Sequence, residues 1–403
     1  MIKIIRISTV PQSLNILLKG QLKFLNQSFH LIGISSGGKD LIEVHNREGI
    51  KTHTLNMERG ISPIKDLVSL IKLFFLLKKE KPMIVHSITP KAGLLTMLAG
   101  KMVGVPIRMH TFTGLIFPTR IGKMQQLLIK MDQLLCWAAT NIYPEGNGVK
   151  QDLINYKITS KPLKVLANGN VNGIDLDFFV PEQVSENQKL KLKQNLNIQL
   201  NDFVFIFVGR LVGDKGINEL VEAFQKLGTG NQESETLVSN PKSLVSSSQS
   251  LVSSKVPKLL LVGPLETELD PLKEETLKEI KTNPNIISVG FQKDVRPYFA
   301  ISNVLVFPSY REGFPNVVMQ AGAMELPSIV SNINGCNEII VEGENGTIIP
   351  VKNVEAISTA MQKTMEDKNY YLSLKNNARL MIQSRYEQSV VWNALLDEYN
   401  MLI

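Results

Sequence analysis

Several residue types are scarce in this chain of 403 residues, which has two cysteines, two tryptophans, five histidines and 6% aromatics. Cys136 and Cys336 stand far apart with no metal or redox spacing, which excludes a disulfide scaffold and predicts two buried thiols in a reducing compartment. The longest apolar run, Leu67 to Leu77, is broken by Lys72. It falls well short of the roughly 20 residues that a membrane helix needs. The N-terminal MIKIIRIST alternates like a first strand and lacks a signal-peptide cleavage pattern, so a cytoplasmic location is expected. Too few aromatics, and no arginine clusters among them, argue against a nucleic-acid partner.

What is present is an ordinary globular composition, 43% hydrophobic and 20% charged, which excludes disorder. The length predicts two or three domains. The net charge of +7 hides a split. Residues 1–165 hold 23 Lys+Arg and 9 Asp+Glu, whereas residues 166–403 hold 21 and 28. All five histidines lie in the basic part. Such asymmetry predicts that the first half faces something anionic: nucleic acid, an acidic membrane surface or a phosphorylated ligand.

Short β-branched runs alternate with helical patterns throughout. Strands are predicted at Ile2–Thr9, Phe29–Ser36, Ile50–Met57, Met83–Ile88, Ile107–Thr113, Asn141–Pro144 and Leu163–Ala167. Helices are predicted at Leu14–Asn26, Pro63–Lys79, Ala92–Val103 and Gly122–Ala139. The second half repeats the plan, with strands at Phe203–Val208, Leu259–Val262, Ile286–Val289, Val304–Phe307, Ser328–Ser331 and Thr347–Ile349. This alternation predicts an α/β protein of two doubly wound domains, each a parallel sheet covered by helices.

The Gly/Asn/Asp-rich stretch Asn168–Gln183 interrupts the pattern and predicts the domain boundary. It suggests domains over 1–175 and 176–385, followed by a final helix at 386–403. Residues 236–256 repeat a seven-residue unit three times, with Leu237, Leu244 and Leu251 at equal spacing. One apolar pair per unit among serines is too little for a coiled coil, so a flexible insertion over 229–257 is expected. On helix 63–81, core packing explains the apolar stripe of Leu67, Leu70, Ile71, Phe74, Phe75 and Leu77, with membrane-surface contact as the alternative.

Two segments carry chemistry. Strand 203–208 runs into Gly209-Arg210, with Lys215-Gly216 following at a predicted helix start. Glycine permits close backbone approach, arginine grips a phosphate through paired hydrogen bonds, and lysine adds a mobile charge. The second segment is Phe307-Pro-Ser-Tyr-Arg-Glu312-Gly313-Phe314-Pro315-Asn316-Val317-Val-Met-Gln320. Here a strand, a loop and a helix beginning near Pro315 put Glu312 before the helix and Gln320 about 12 Å along it. That spacing suits the sugar and ribose ends of one nucleotide sugar, with backbone N–H groups of Phe314 to Val317 toward the phosphates.

In this order and spacing, the second half resembles the nucleotide-sugar-binding domain of retaining glycosyltransferases of family 4, which have the GT-B fold. Arg210, Lys215 and Glu312 match the family pattern, while Gln320 stands where the family usually has glutamate. The resemblance extends to Ser62-Pro63 through His86-Ser87, Pro90-Lys91-Ala92-Gly93, Arg108-Met-His110-Thr111, Asn172-Gly-Ile-Asp175 and Asn334-Gly-Cys336-Asn-Glu338. It also covers the final segment, Tyr386 to Ile403.

The resemblance implies two Rossmann-like domains facing across a cleft, with the last helix returning to the first domain. It implies metal-independent transfer of a hexose or N-acetylhexosamine from a nucleotide sugar, with UDP expected, to a saccharide acceptor on a polyprenyl diphosphate. That chemistry belongs to capsule, O-antigen or exopolysaccharide synthesis at the inner membrane face. No cofactor is expected. Arg210 and Lys215 would neutralise the leaving diphosphate, with Glu312 and His110 at the donor sugar and Gln320 at the ribose. The base would lie near the Val289-Gly290-Phe291 turn, while Gly209, Gly313, Phe314, Asn316 and Val317 complete the donor-binding set. Lys91 and His86 are assigned to the acceptor side. A nucleotide-sugar epimerase of the same architecture and a catalytically weakened binding protein are the competing readings.

Overall fold

The computed structural model describes residues 1–58, 60–233, 256–268 and 270–403. The serine-rich repeat of 236–256 lies outside the described residues except for Val256. The chain divides into two compact units. Unit 1 is Met1–Gly173 with Arg385–Ile403, and unit 2 is Ile174–Ser384.

Unit 1 begins with β1 (Lys3–Ile7), α1 (Pro11–Leu17), α2 (Gln21–Leu25), β2 (His30–Ser35), α3 (Lys39–Glu48) and β3 (Lys51–Thr54). It continues with α4 (Pro63–Glu80), β4 (Ile84–Ser87), α5 (Pro90–Val103), β5 (Ile107–Phe112), α6 (Gly122–Ala138), β6 (Asn141–Pro144) and α7 (Asn147–Asn155). Its sheet is parallel throughout, in the order β3-β2-β1-β4-β5-β6. The central strand β1 buries Ile4, Ile5 and Ile7 in two cores, one on each side, as expected where helices cover both faces.

Unit 2 begins with α8 (Glu186–Asn195), β7 (Phe203–Val208), α9 (Ile217–Glu233), β8 (Pro257–Val262), α10 (Glu274–Thr282), β9 (Ile286–Ser288) and α11 (Arg296–Ala300). It then forms β10 (Val304–Phe307), α12 (Asn316–Ala323), β11 (Ser328–Ser331), α13 (Cys336–Ile339), β12 (Gly346–Ile349), α14 (Val354–Glu366) and α15 (Lys368–Tyr386). The order β12-β11-β10-β7-β8-β9 is the same winding as in unit 1. Each sheet therefore reverses direction beside its first strand, at β1/β4 and at β7/β10, where doubly wound sheets open a crevice for ligands.

The last helix, α16 (Gln388–Leu402), packs on unit 1. Leu395 and Tyr399 are buried in its core, and the Trp392 ring lies 5.4 Å from Phe24. The Trp392 indole N–H donates to Asn172, so the helix is tied to the turn that leaves the unit.

Three sequence expectations need correction. Leu163–Ala167 is not a strand; only Leu163 bridges to Ile142. The helix expected over Leu14–Asn26 is two helices, broken at Gly20, whose φ of +80° and contact with Trp392 leave no space for a side chain. The stripe on α4 is core only in part: Leu77 is buried and Leu70 packs against the unit 1 core. Leu73 is also buried, but Ile64, Leu67, Val68, Ile71 and Phe75 are exposed. The helix is apolar around most of its girth, and packing beside α5 covers only one side.

Candidate active site

The site in unit 2 is built by the loops after β7 and β10. Beyond β7 the chain turns at Gly209 and then at Gly216, which has a φ of +70°. A Cβ on Gly216 would sit 2.2 Å from the Pro308 carbonyl oxygen, so only glycine lets the two loops touch. That contact brings Lys215 from one loop to Glu312 on the other, where they form a hydrogen-bonded ion pair. Ser309, fully buried, donates to the same carboxylate oxygen, Glu312 Oε1, at 3.0 Å. The two charged side chains are 15% and 18% exposed, shielded yet reachable.

Further carboxylates that the sequence did not single out lie on the loops after β7 and β8. Asp214 accepts from Arg311 Nη2 at 3.0 Å, and its own amide donates to Asp270 Oδ2. Arg210 is more exposed and donates through Nη1 to Glu266 Oε2 at 2.9 Å. The strand ends beside it are glycines: the Gly209 amide donates to Val262 O, and the Gly263 amide donates to Gly290 O. A Cβ on Gly263 would fall 1.7 Å from Gly209 O, so this floor is bare backbone. Phe291, next to Gly290, is 74% exposed. The only advance sign of the floor was the Gly263-Pro264 break after a strand; Glu266 and Asp270 gave none.

Pro315 is the N-cap of α12, so Asn316 and Val317 occupy its first helical positions, and no acidic residue lies in its first turn. The positive end of the helix dipole there favours an anion. Gly335, with a φ of +74°, packs where a Cβ would lie 2.5 Å from Gly313 O. Cys336 follows it, and burial, with the Glu312 charge adding, raises its thiol well above the usual range. Burial pushes Cys136 up to about 12, so both thiols are unreactive. Phe314 is buried, while Gln320 is half-buried on the second turn of α12.

In unit 1 the two singled-out histidines are buried. His110, inside β5 rather than at the strand end the sequence suggested, shares a hydrogen bond between Nδ1 and Ser87 Oγ at 2.8 Å and meets the Phe112 ring edge-on at 4.5 Å. A Cβ on Gly93 would be 2.5 Å from His110 Cε1, so this glycine of α5 makes room for the ring. Burial lowers the His110 pKa to about 3, leaving it a neutral imidazole. His86 has both ring nitrogens engaged, Nδ1 with Tyr399 Oη at 2.7 Å and Nε2 with Thr111 Oγ1 at 2.8 Å. The structure thus places His86 in the core and not on an acceptor surface.

Arg6 completes this network by donating to Tyr399 Oη at 3.0 Å and Gln21 Oε1 at 3.1 Å, and it anchors α16. Its partners are too distant in sequence for any pattern to join them.

Lys91 is 10% exposed, not solvated, and donates to Asp66 Oδ1 at 2.7 Å and to the Gly60 carbonyl. Beside it opens a cavity of about 450 Å³ walled by α5, α6, the end of β5 and the loops after β3 and β5. Asp132 lines it, and burial raises its carboxyl to about 7. Among the described residues no three His, Cys, Asp or Glu side chains are grouped to hold a metal, and no helix is long and apolar enough to cross a membrane.

Residues 6–145 match the family described as Glycosyl transferase 4-like, and residues 188–381 match Glycosyl transferases group 1. The capsular polysaccharide biosynthesis glycosyltransferase CapM of Staphylococcus aureus is 33% identical over 406 residues, covering 100% of this chain and 97% of that protein. The chain belongs to the family-4 glycosyltransferases. A second relative of this transferase is the UDP-Gal:alpha-D-GlcNAc-diphosphoundecaprenol alpha-1,3-galactosyltransferase of Escherichia coli. It is 29% identical over 318 residues, spanning 79% of this chain and 75% of that one. Among solved structures, a glycosyltransferase from Rickettsia africae superposes with a TM-score of 0.77 at 20% identity, covering 100% and 98% of the two chains. Anabaena Alr3699/HepE in complex with UDP gives 0.77 at 15% identity over the full length of both chains. These likenesses, with the two six-stranded sheets, give the transferase the GT-B fold, as expected from the sequence.

Proposed function

We propose that this glycosyltransferase moves a hexose or N-acetylhexosamine from a UDP-sugar, with retention and without a metal, to a saccharide on a polyprenyl diphosphate. The observation that carries the reading is the Lys215–Glu312 pair at the carboxyl ends of β7 and β10. When the bond from the anomeric carbon to the phosphate oxygen breaks, negative charge grows on the diphosphate. Lys215 and Arg210 are the cations held beside the bare glycine floor to offset it. Glu312, once Lys215 turns to phosphate, accepts from hydroxyls of the donor sugar, and Gln320 serves the ribose through neutral hydrogen bonds. The anomeric carbon then bonds to the acceptor oxygen, whose proton passes to the departing phosphate. His110 enters as a neutral hydrogen-bonding group, since at about 3 its pKa rules out an imidazolium near pH 7.

The acceptor reading is supported by the diphosphoundecaprenol-linked acceptor of the Escherichia coli relative and by α4. The exposed Ile64, Leu67, Val68, Ile71 and Phe75 share that helix with Lys65, Lys72, Lys78 and Lys79. An apolar face flanked by lysines suits attachment to an anionic membrane surface. Capsule or exopolysaccharide synthesis is the corresponding role, as in the Staphylococcus aureus relative's name. Purified chain incubated with UDP-sugars and undecaprenyl-diphosphate saccharides should release UDP and yield an axial linkage from an axial donor. No transfer with any pair, or inversion at the anomeric carbon, would reject the proposal.

A further inference from the structure

The unit 1 cavity has no part in the donor chemistry. Its walls are apolar, formed by Leu94 of α5, Phe112 at the end of β5, and Met124, Leu128 and Met131 of α6. At about 450 Å³ it lies within the rough 300–1,000 Å³ range of small-ligand sites. Its rim is apolar as well, since Ile61, Ile116 and Met124 are all exposed by about half (51%, 45% and 47%). Two cations stand at the same mouth, Lys91 in the first turn of α5, paired with Asp66, and the exposed Arg120 just before α6. Neither helix has an acidic residue in its first turn. A cation at a helix N-terminus opposes the dipole, so these two ends together favour an anion.

Apolar walls under a cationic rim select one kind of ligand, an amphiphile whose anionic head adjoins a hydrocarbon chain. A bare saccharide would leave its hydroxyls unpaired against Leu94, Leu128 and Met131. We propose that this cavity receives the first isoprenoid units of the acceptor's polyprenyl chain, with its diphosphate drawn to Lys91 and Arg120. The assignment rests on the reading that the acceptor is polyprenyl-linked, and it adds that the enzyme recognises the lipid as well as the sugar. Asp132, the one carboxyl in the wall, is raised by burial to about 7, so the wall carries only fractional charge near neutrality. The Phe112 ring that lines the cavity also packs on His110, within the same unit.

Two acceptors that share one saccharide diphosphate, one on a long polyprenyl chain and one on a short alkyl group, provide the test. Leu128→Trp fills the cavity and should raise the ratio of the long-chain KM to the short-chain KM by about tenfold. An unchanged ratio overturns the inference while leaving the transferase reading intact; no transfer by the native chain to either acceptor rejects the reading itself. Photolabelling of the native chain by an isoprenoid diphosphate carrying a diazirine needs no variant and no turnover. Labels on α5 and α6 support the assignment, and labels confined elsewhere overturn it.

Discussion

Unit 1 and unit 2 wind six parallel strands in the same order, and both gather their distinctive residues in loops at the carboxyl strand ends. Their charges differ. Unit 1 holds 24 Lys+Arg against 12 Asp+Glu, and unit 2 holds 20 against 25. Yet the basic unit builds an apolar cavity beside a buried neutral histidine, while the acidic unit builds the cationic site. In unit 2 each important cation has a carboxylate of its own, Glu312 for Lys215 and Glu266 for Arg210. Those carboxylates hold the cations in place at the carboxyl ends of the strands. The net charge of a region thus locates its function poorly, and the charges that neighbouring acids fix in position locate it better.

The sharpest way to break this contrast is Lys215→Ala, for which kcat/KM should fall about 10²–10³-fold. Steady-state rates within threefold of the native enzyme would mean that the cation is only structural. Gly93→Ala probes the other unit. The added methyl meets the His110 ring, and a stability loss of about 1–3 kcal/mol is expected in denaturant titration. An unchanged midpoint would show that His110 is loosely held.

The half-buried Asp132 gives a pH test. Its carboxyl titrates at about 7 in the fold against 3.8 when free, so the folded state holds the extra proton between those values. Wild-type stability from this group is therefore greatest below the free value and declines as pH rises toward 7. Asp132→Asn removes the ionisation, so it should raise the unfolding free energy more at about pH 8 than at about pH 4, by an amount on the order of 1 kcal/mol, read from denaturant titrations at the two pH values. Equal shifts at both pH values would refute the burial. The smallest effect is expected at Glu325, which holds a φ of +63° just beyond α12, where glycine is favoured. Glu325→Gly should stabilise by about 0.5–1 kcal/mol, read as a higher denaturation midpoint.

Much of this was legible in the sequence where the signal is local. Phe203–Val208, Val304–Phe307, Ser328–Ser331 and Asn141–Pro144 form strands with the expected bounds, because apolar runs there end at glycine, proline or polar turns. Lys215 and Glu312 were recognisable because each sits in a short loop directly after such a strand. What escaped notice depends on distant partners. Trp392 breaks the first helix at Gly20, and Tyr399 takes up His86. Asp66 removes Lys91 from solvent, and Glu266 claims Arg210. The α4 stripe misled because an apolar helical face reads alike whether it meets a core or a membrane.

The central claim is that unit 2 alone grips the donor diphosphate, through Lys215. Calorimetric titration of UDP into the native chain, Lys215→Ala and Leu128→Trp tests it most directly. The account predicts affinity at least about tenfold weaker for Lys215→Ala and near-native for Leu128→Trp. Native affinity in Lys215→Ala, or equal losses in both variants, would contradict it.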